Sequence, residues 1–275
     1  MDISETLIVV KGGGDLAGGV IRRLKRAGFP LIVTELAAPL FVRRTVSFGE
    51  SVYAGRVEIE GIAAQHAATP EEAQKLATTA VVPVLVDPRA AVVDALRPAV
   101  VVDAVMAKRN TGTHMNDAPL VIALGPGFTA GEDCHAVVET MRGHNLGRLI
   151  YAGSAQPNTG TPGIVGGHGA ERVLRAPAAG HVEAYVAISE RVRQDQRIAA
   201  VAGKEVRAPF DGVLRGIIHP SVMVTPGMKI GDVDPRDSVD HCFTISDKAL
   251  AIGGAVLEAV LAWKNVTWKR ISEAG

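Results

Sequence analysis

At 275 residues and 47% hydrophobic content, the chain is long enough for two domains and a sizeable core. Its 29 basic residues balance 29 acidic ones, which leaves no net field to hold a nucleic-acid backbone and excludes nucleic acid as a partner class. Cys134 and Cys242 give neither a disulfide framework nor zinc spacing, no apolar run reaches bilayer length, and the N-terminus, with Asp2 and Glu5, lacks a basic leader; a cytoplasmic protein with no metal site and no membrane association is expected.

The first element sets the frame. Leu7 to Val10 fits a buried strand, and Lys11-Gly12-Gly13-Gly14-Asp15-Leu16-Ala17 then turns the chain into a helix that runs to a cationic last turn and stops at Gly28. Gly12, Gly14 and Ala17 match the dinucleotide fingerprint G-x-G-x-x-G/A, in which bare backbone and a helix N-terminus, here including Gly13 and Asp15, receive a phosphate. A second strand, Leu31 to Glu35, ends in an acid 21 residues after Gly14, near the spacing at which a carboxylate meets a ribose hydroxyl. Three arrangements satisfy this stretch: a bound dinucleotide, another phosphate-bearing ligand, or a tight βα turn with nothing bound.

Arg43 and Arg44 follow soon after the second strand, either as anion ligands at the same crevice or as a solvated pair. Gly55 to Gly61 alternates apolar and charged residues as an exposed strand or hairpin does. Thr69 caps a helix with Pro70 at its first position, and His66 just upstream reads as a loop residue. Val82 to Asp87, Val100 to Val105 and Leu120 to Gly125 are continuous apolar strands, with a helical stretch from Arg89 to Leu96 between the first two. Such strands belong in a parallel sheet covered on both faces, where ligands gather beyond the strand carboxyl ends. The loop Lys108-Arg109-Asn110-Thr111-Gly112-Thr113-His114 places cations, an amide and hydroxyls there, as an anionic ligand requires.

Pro126 to Thr140 reads as another strand-to-helix turn, with Cys134 near the helix start, where a dipole activates a thiol; the alternative is a buried, inert cysteine. Tyr151 to Gly169 has the composition of a linker or a ligand-covering loop. Arg175-Ala176-Pro177-Ala178-Ala179-Gly180 recurs as Arg207-Ala208-Pro209-Phe210-Asp211-Gly212 at an offset of 32, which implies a small β domain with internal pseudo-two-fold symmetry. Ile245 to Lys264 reads as an apolar helix able to dock on a domain or on a second copy of the chain, and Val266 to Gly275 as a frayed terminus.

The repeat, over roughly residues 172 to 235, resembles the biotinyl/lipoyl barrel-sandwich fold. The junction around Lys204 lacks the flanking methionines of a carrier lysine, so attachment of biotin or lipoate is not expected and Lys204 reads as a turn residue. The segments Lys11 to Ala17, Arg43 to Phe48, Val102 to Asn110, Gly125 to Gly131 and Lys229 to Arg236 resemble the accessory (maturation) protein family of selenium-dependent molybdenum hydroxylase systems. The chain is also distantly similar to xanthine dehydrogenase maturation factors.

The expected fold class is α/β: a Rossmann-like, mostly parallel sheet over 1–170, a barrel-sandwich hybrid domain over 171–236, and a C-terminal helix and tail over 237–275. The resemblance implies a maturation factor that works beside a molybdenum hydroxylase and other maturation factors, with a molybdopterin-type cofactor or a dinucleotide as candidate ligand. Gly12, Gly13, Gly14, Asp15, Ala17, Glu35, Arg43, Arg44, Lys108, Arg109 and Asn110 are the candidate binding residues, and Cys134 is the one candidate for sulfur chemistry. An NAD(P)-dependent oxidoreductase and a non-catalytic scaffold remain as alternatives.

Overall fold

The computed structural model describes residues 3–158, 160 and 163–264; Thr159, Thr161 and Pro162 of the glycine- and proline-rich loop, and the terminal stretch from Val266, lie outside them. It is a mixed α/β protein with one large, mostly parallel sheet and further small antiparallel sheets. The chain divides into two compact units, one built from residues 1–37, 48–159 and 245–275, the other from 38–47 and 160–244. Both are discontinuous, whereas the sequence reading cuts the chain into three consecutive segments at 170 and 236.

The first unit opens with β1 (Ile8–Lys11), α1 (Asp15–Arg26) and β2 (Leu31–Glu35). It continues through α2 (Ser51–Ala54), β3 (Arg56–Ile59), β4 (Ile62–Ala67), α3 (Pro70–Ala77), β5 (Val82–Val86) and α4 (Val92–Leu96). Then come β6 (Val100–Asp103), β7 (Leu120–Leu124), β8 (Thr129–Ala130), β9 (Ala136–Val138), β10 (Leu149–Ile150) and β11 (Gly153–Ser154). Nine of these strands form one sheet in the order β10-β9-β7-β6-β1-β2-β5-β4-β3, parallel from β9 through β4 with an antiparallel strand at each edge. The central strands are buried on both faces, which is why they read as unbroken Val/Ile/Leu runs. From β1 the chain builds outward through β2 and β5, then returns to lay β6 on the other side of β1. The reversal opens a switch point between β1 and β6.

Local signals explain the elements. Thr69 accepts a hydrogen bond from the Glu72 N–H and Pro70 opens α3, as its cap chemistry requires. The β3–β4 hairpin turns through Glu60 and Gly61, both at positive φ, the geometry of a two-residue turn that follows strand twist. His66 lies in β4 and not in a loop. The stretch after Pro126 is not a helix: it forms β8, a turn held by Asp133 accepting from the Thr129 N–H, and then β9. Ala136, Val137 and Val138 are fully buried beside β7, so sheet burial outweighs the helix-like run of turn and acidic residues before them.

The second unit contains β12 (Val173–Arg175), β13 (Val182–Ala184), β14 (Arg191–Val192), β15 (Arg197–Val201), β16 (Lys204–Arg207), β17 (Gly212–Ile217), β18 (Lys229–Asp234) and the short α5 (Asp240–Phe243). They form two antiparallel sheets, β12-β18-β17-β14 and β13-β15-β16. The 32-residue offset carries one sheet onto the other. The β12–β18 pair becomes β16–β15, β17–β18 becomes β13–β15, and the Val192–Gly212 pairing becomes the Val224–Gly180 bridge. Lys204 is the first residue after the turn Ala202-Gly203, again two residues at positive φ. Residues 38–47 join this unit because Gly216 of β17 leaves room for the backbone of Val42 and Arg43, where a Cβ would meet the Val42 carbonyl at 2.5 Å.

The last helix, α6 (Asp247–Lys264), belongs to the first unit. Ile252, Val256, Ala259 and Val260 are fully buried in the same cluster as Ile8, Val10, Val20 and Leu24, on the sheet face that α1 covers. Ala73, Ala77, Val92 and Val93 of α3 and α4 cover the other face with Val9, Ile32 and Val101.

Candidate functional site

Lys11 ends β1 and Asp103 ends β6, and the two are register partners across the switch point. Thr113 joins them: its hydroxyl donates to Asp103 Oδ2 at 2.5 Å and accepts from Lys11 Nζ at 2.6 Å. Asp103 and Thr113 are buried and Lys11 nearly so, while Lys11 also donates to the Gly112 carbonyl at 3.2 Å. A buried ammonium, hydroxyl and carboxylate satisfy one another here, and the loop after β6 is thereby fastened over the end of β1. Asn110 shapes that loop. Its side-chain oxygen accepts from the Gly112 and Thr113 N–H groups, and its amide nitrogen donates to the Thr113 carbonyl and to Asp133.

Lys108 and Arg109 therefore stand on an exposed loop with a fixed base. Met106 and Lys108 adopt left-handed backbone conformations, and Gly127 lets the loop after β7 press against the Lys108–Arg109 backbone, where a Cβ would lie 2.5 Å from the Arg109 nitrogen. Exposed Val105 and Leu36 follow β6 and β2 directly, apolar surface beside the glycine turn.

The turn itself is shaped by the protein's own packing. A Cβ on Gly12 would meet the Ala104–Val105 backbone at 3.1 Å, and one on Gly13 would meet the Gly49 nitrogen at 2.7 Å. Gly14 is the N-cap of α1 and contributes no side chain, so no side-chain group seals that helix end; Asp15 is its first acidic residue and Ala17 is buried in the core. Such a terminus suits a phosphate. Glu35 is committed elsewhere: Oε1 accepts from the Gly13 N–H at 2.7 Å and Oε2 from the Leu36 N–H at 2.9 Å. Burial pushes its carboxyl above the ordinary range, against these two bonds. The residues present thus fit a phosphate group better than the ribose contact that a dinucleotide acid makes.

Arg43 and Arg44 lie in the second unit. Arg43 is buried and donates to the carbonyls of His241 and Thr244, and Arg44 opens a 3-10 turn. With Thr45 donating to the Cys242 carbonyl, these contacts stitch residues 38–47 to α5. Cys134 is fully buried and no helix begins there. Burial and the neighbouring Asp133 carboxylate push its thiol up to about 12, the opposite of the activation a helix dipole gives.

Two sets of motif segments are each brought together. Lys11 to Ala17, Val102 to Asn110 and Gly125 to Gly131 meet at the carboxyl ends of β1, β6 and β7, while Arg43 to Phe48 and Lys229 to Arg236 place Arg43, Asp232, Asp234 and Arg236 in one charged cluster of the second unit. Sequence reasoning missed the Lys11–Thr113–Asp103 link. Its signal was the pairing of two strand-end residues, which needs the strand order to be seen. A shallow pocket of 370 Å³ at the β10 edge, with His144, Arg148, Tyr151 and Glu258 in its wall, includes none of these residues. Among the described residues no group of three or more His, Cys, Asp or Glu is placed to hold a metal, and no helix is long and apolar enough to cross a membrane.

No family model matches the sequence. Uncharacterized protein YqeB of Escherichia coli (strain K12) is 48% identical over 255 residues, which is 93% of this chain and 47% of that protein. The chain therefore spans about half the length of this relative. Among solved structures, a succinylglutamate desuccinylase/aspartoacylase from Rhodobacter sphaeroides aligns over 86% of this chain and 87% of its own, at 13% identity and a TM-score of 0.26. An aspartoacylase family protein from Mesorhizobium loti aligns over 23% of this chain and 22% of its own, at 15% identity and a TM-score of 0.21.

Proposed function

We propose that the chain is a cytoplasmic accessory factor for maturation of a selenium-dependent molybdenum hydroxylase, and that it binds a phosphate-bearing cofactor of molybdopterin or nucleotide type at the switch point. In this reading the second unit is a barrel-sandwich hybrid reused as a scaffold, without a carrier lysine. The observation that carries the binding half is the convergence, beyond β1 and β6, of an uncapped helix N-terminus with a cationic loop fastened by Thr113. The backbone N–H groups and dipole of α1 would face the phosphate, and Lys108 and Arg109 would neutralise it. Glu35 holds the glycine turn in shape from below. The maturation half rests on the five motif segments, which gather into one site in each unit.

Native mass spectrometry of the freshly purified chain, with mild denaturation to release what it holds, tests the reading. A phosphate-bearing pterin or nucleotide that is lost in Lys108→Glu, with the fold intact by circular dichroism, supports it. A nicotinamide dinucleotide would instead favour the oxidoreductase. A chain that carries and takes up no such molecule, yet captures a hydroxylase, would favour the scaffold.

A further inference from the structure

Gly13, the middle residue of the glycine turn, is held from both sides by the chain that leaves for the second unit and comes back. Its N–H donates to Glu35 Oε1 at 2.7 Å, and its carbonyl accepts from the Gly49 N–H at 2.9 Å. Glu35 stands just before residues 38–47, which belong to the second unit, and Gly49 stands just after them. Both backbone groups of Gly13 are thus fixed by the two ends of one excursion.

The returning limb has little slack. In the second unit Arg43 donates to the carbonyls of His241 and Thr244 at 3.0 and 3.3 Å, and the Thr45 hydroxyl donates to the Cys242 carbonyl at 2.5 Å. Two 3-10 turns follow, Arg44–Val46 and Phe48–Glu50, with only Ser47 between them. The Ser47 hydroxyl donates back to the Arg43 carbonyl at 2.8 Å, and Val46, Ser47 and Phe48 are fully buried. At the far end a Cβ on Gly13 would lie 2.7 Å from the Gly49 nitrogen and 3.2 Å from Val33 Cγ1. A connection between compact units ordinarily runs over the surface, where its backbone is free to adjust. From Arg43 to Gly49 the chain is instead built of hydrogen-bonded turns and buried side chains, and close-packed interiors pass displacement on.

We propose that residues 43–49 are a coupling limb, through which the conformation of the glycine turn depends on how firmly residues 38–47 are held by α5 in the second unit. The coupling runs both ways, as a coupling free energy must, so a change imposed on the turn is felt at 241–244. It stands on these contacts alone and does not depend on what the turn binds.

Hydrogen exchange of the full chain, read by mass spectrometry, tests it. Thr45→Val keeps the side-chain shape and removes the bond to the Cys242 carbonyl. Exchange of the amides at 12–18, in the other unit, is expected to quicken about 3- to 10-fold, the factor that one net hydrogen bond sets on a local opening. Thr45→Ser, which keeps the hydroxyl, is expected to hold the parent rate. Ile198→Val thins the core of the second unit in β15, on the sheet that does not contain Gly216, and is expected to leave 12–18 unchanged. Should Thr45→Val fail to fold, Ser47→Ala, which cuts the limb at its middle, carries the same expectation as Thr45→Val. Unchanged exchange at 12–18 in the folded Thr45→Val or Ser47→Ala chain, or an equal quickening in Ile198→Val, overturns the proposal.

Discussion

Thr113 is a small residue on which the candidate site depends. Its hydroxyl both donates and accepts, so it bridges a buried ammonium and a buried carboxylate at the ends of adjacent strands. Thr113→Val keeps the shape and removes both bonds, leaving Lys11 Nζ and Asp103 Oδ2 each short of a partner. A destabilisation of about 1–3 kcal/mol in urea unfolding is expected, with Thr113→Ser close to the parent. An unaffected Thr113→Val would show that water serves the two charges equally well. At this scale the sequence was informative where chemistry is local. The glycine turn, the Thr69 cap and the Asn110 loop could all be read from neighbours along the chain. Lys11 and Asp103 could not, because they meet only after β6 has returned to the side of β1, and neither could the hold of Glu35 on the Gly13 N–H, because a backbone donor carries no residue signature.

At the scale of elements, glycines decide how closely helices approach. Gly19 of α1 and Gly253 of α6 face each other with almost no space: a Cβ on Gly19 would overlap the Ala249 carbonyl, and one on Gly253 would overlap that of Gly19. Gly254, the next residue, would place a Cβ in open space. The two substitutions therefore part in sign. Gly254→Ala removes backbone freedom from a helix interior and stabilises by about 0.5–1 kcal/mol. Gly253→Ala forces α1 and α6 apart and costs roughly 1–3 kcal/mol or more, as overpacking does. Calorimetric Tm values that move the same way for both would mean that the helices slide without cost. Nothing in the sequence separates Gly253, which meets Gly19, from Gly254, where a Cβ meets open space, because the contact depends on which of the two faces α1. The strands that read correctly include the long apolar ones and the alternating β3. β8 and β9 were obscured because two or three residues show no period.

At the scale of the molecule, the two units interleave along the chain, and this bears on which fragments can fold. A reading by consecutive segments treats 1–170 as a domain and α6 as an appendage. In the structure α6 supplies Ala249, Ile252, Val256, Ala259 and Val260 to the core cluster that holds the inner face of β1, β2 and β6. Composition could not reveal this, because an apolar helix at the end of a chain has the same pattern whether it covers its own sheet or a partner's. Removing it strips about five buried side chains at roughly 1–3 kcal/mol each for the larger ones, an amount comparable with the whole stability of a domain. A chain ended at residue 244 is therefore expected to lose its cooperative urea transition and near-ultraviolet circular dichroism, and to bind a hydrophobic dye, although every strand of the large sheet is still encoded. A truncated chain that unfolds cooperatively with a native near-ultraviolet spectrum would show that α6 is an accessory layer. In that event the helix would be available for a second copy or another partner, and the scaffold reading would gain the surface it needs.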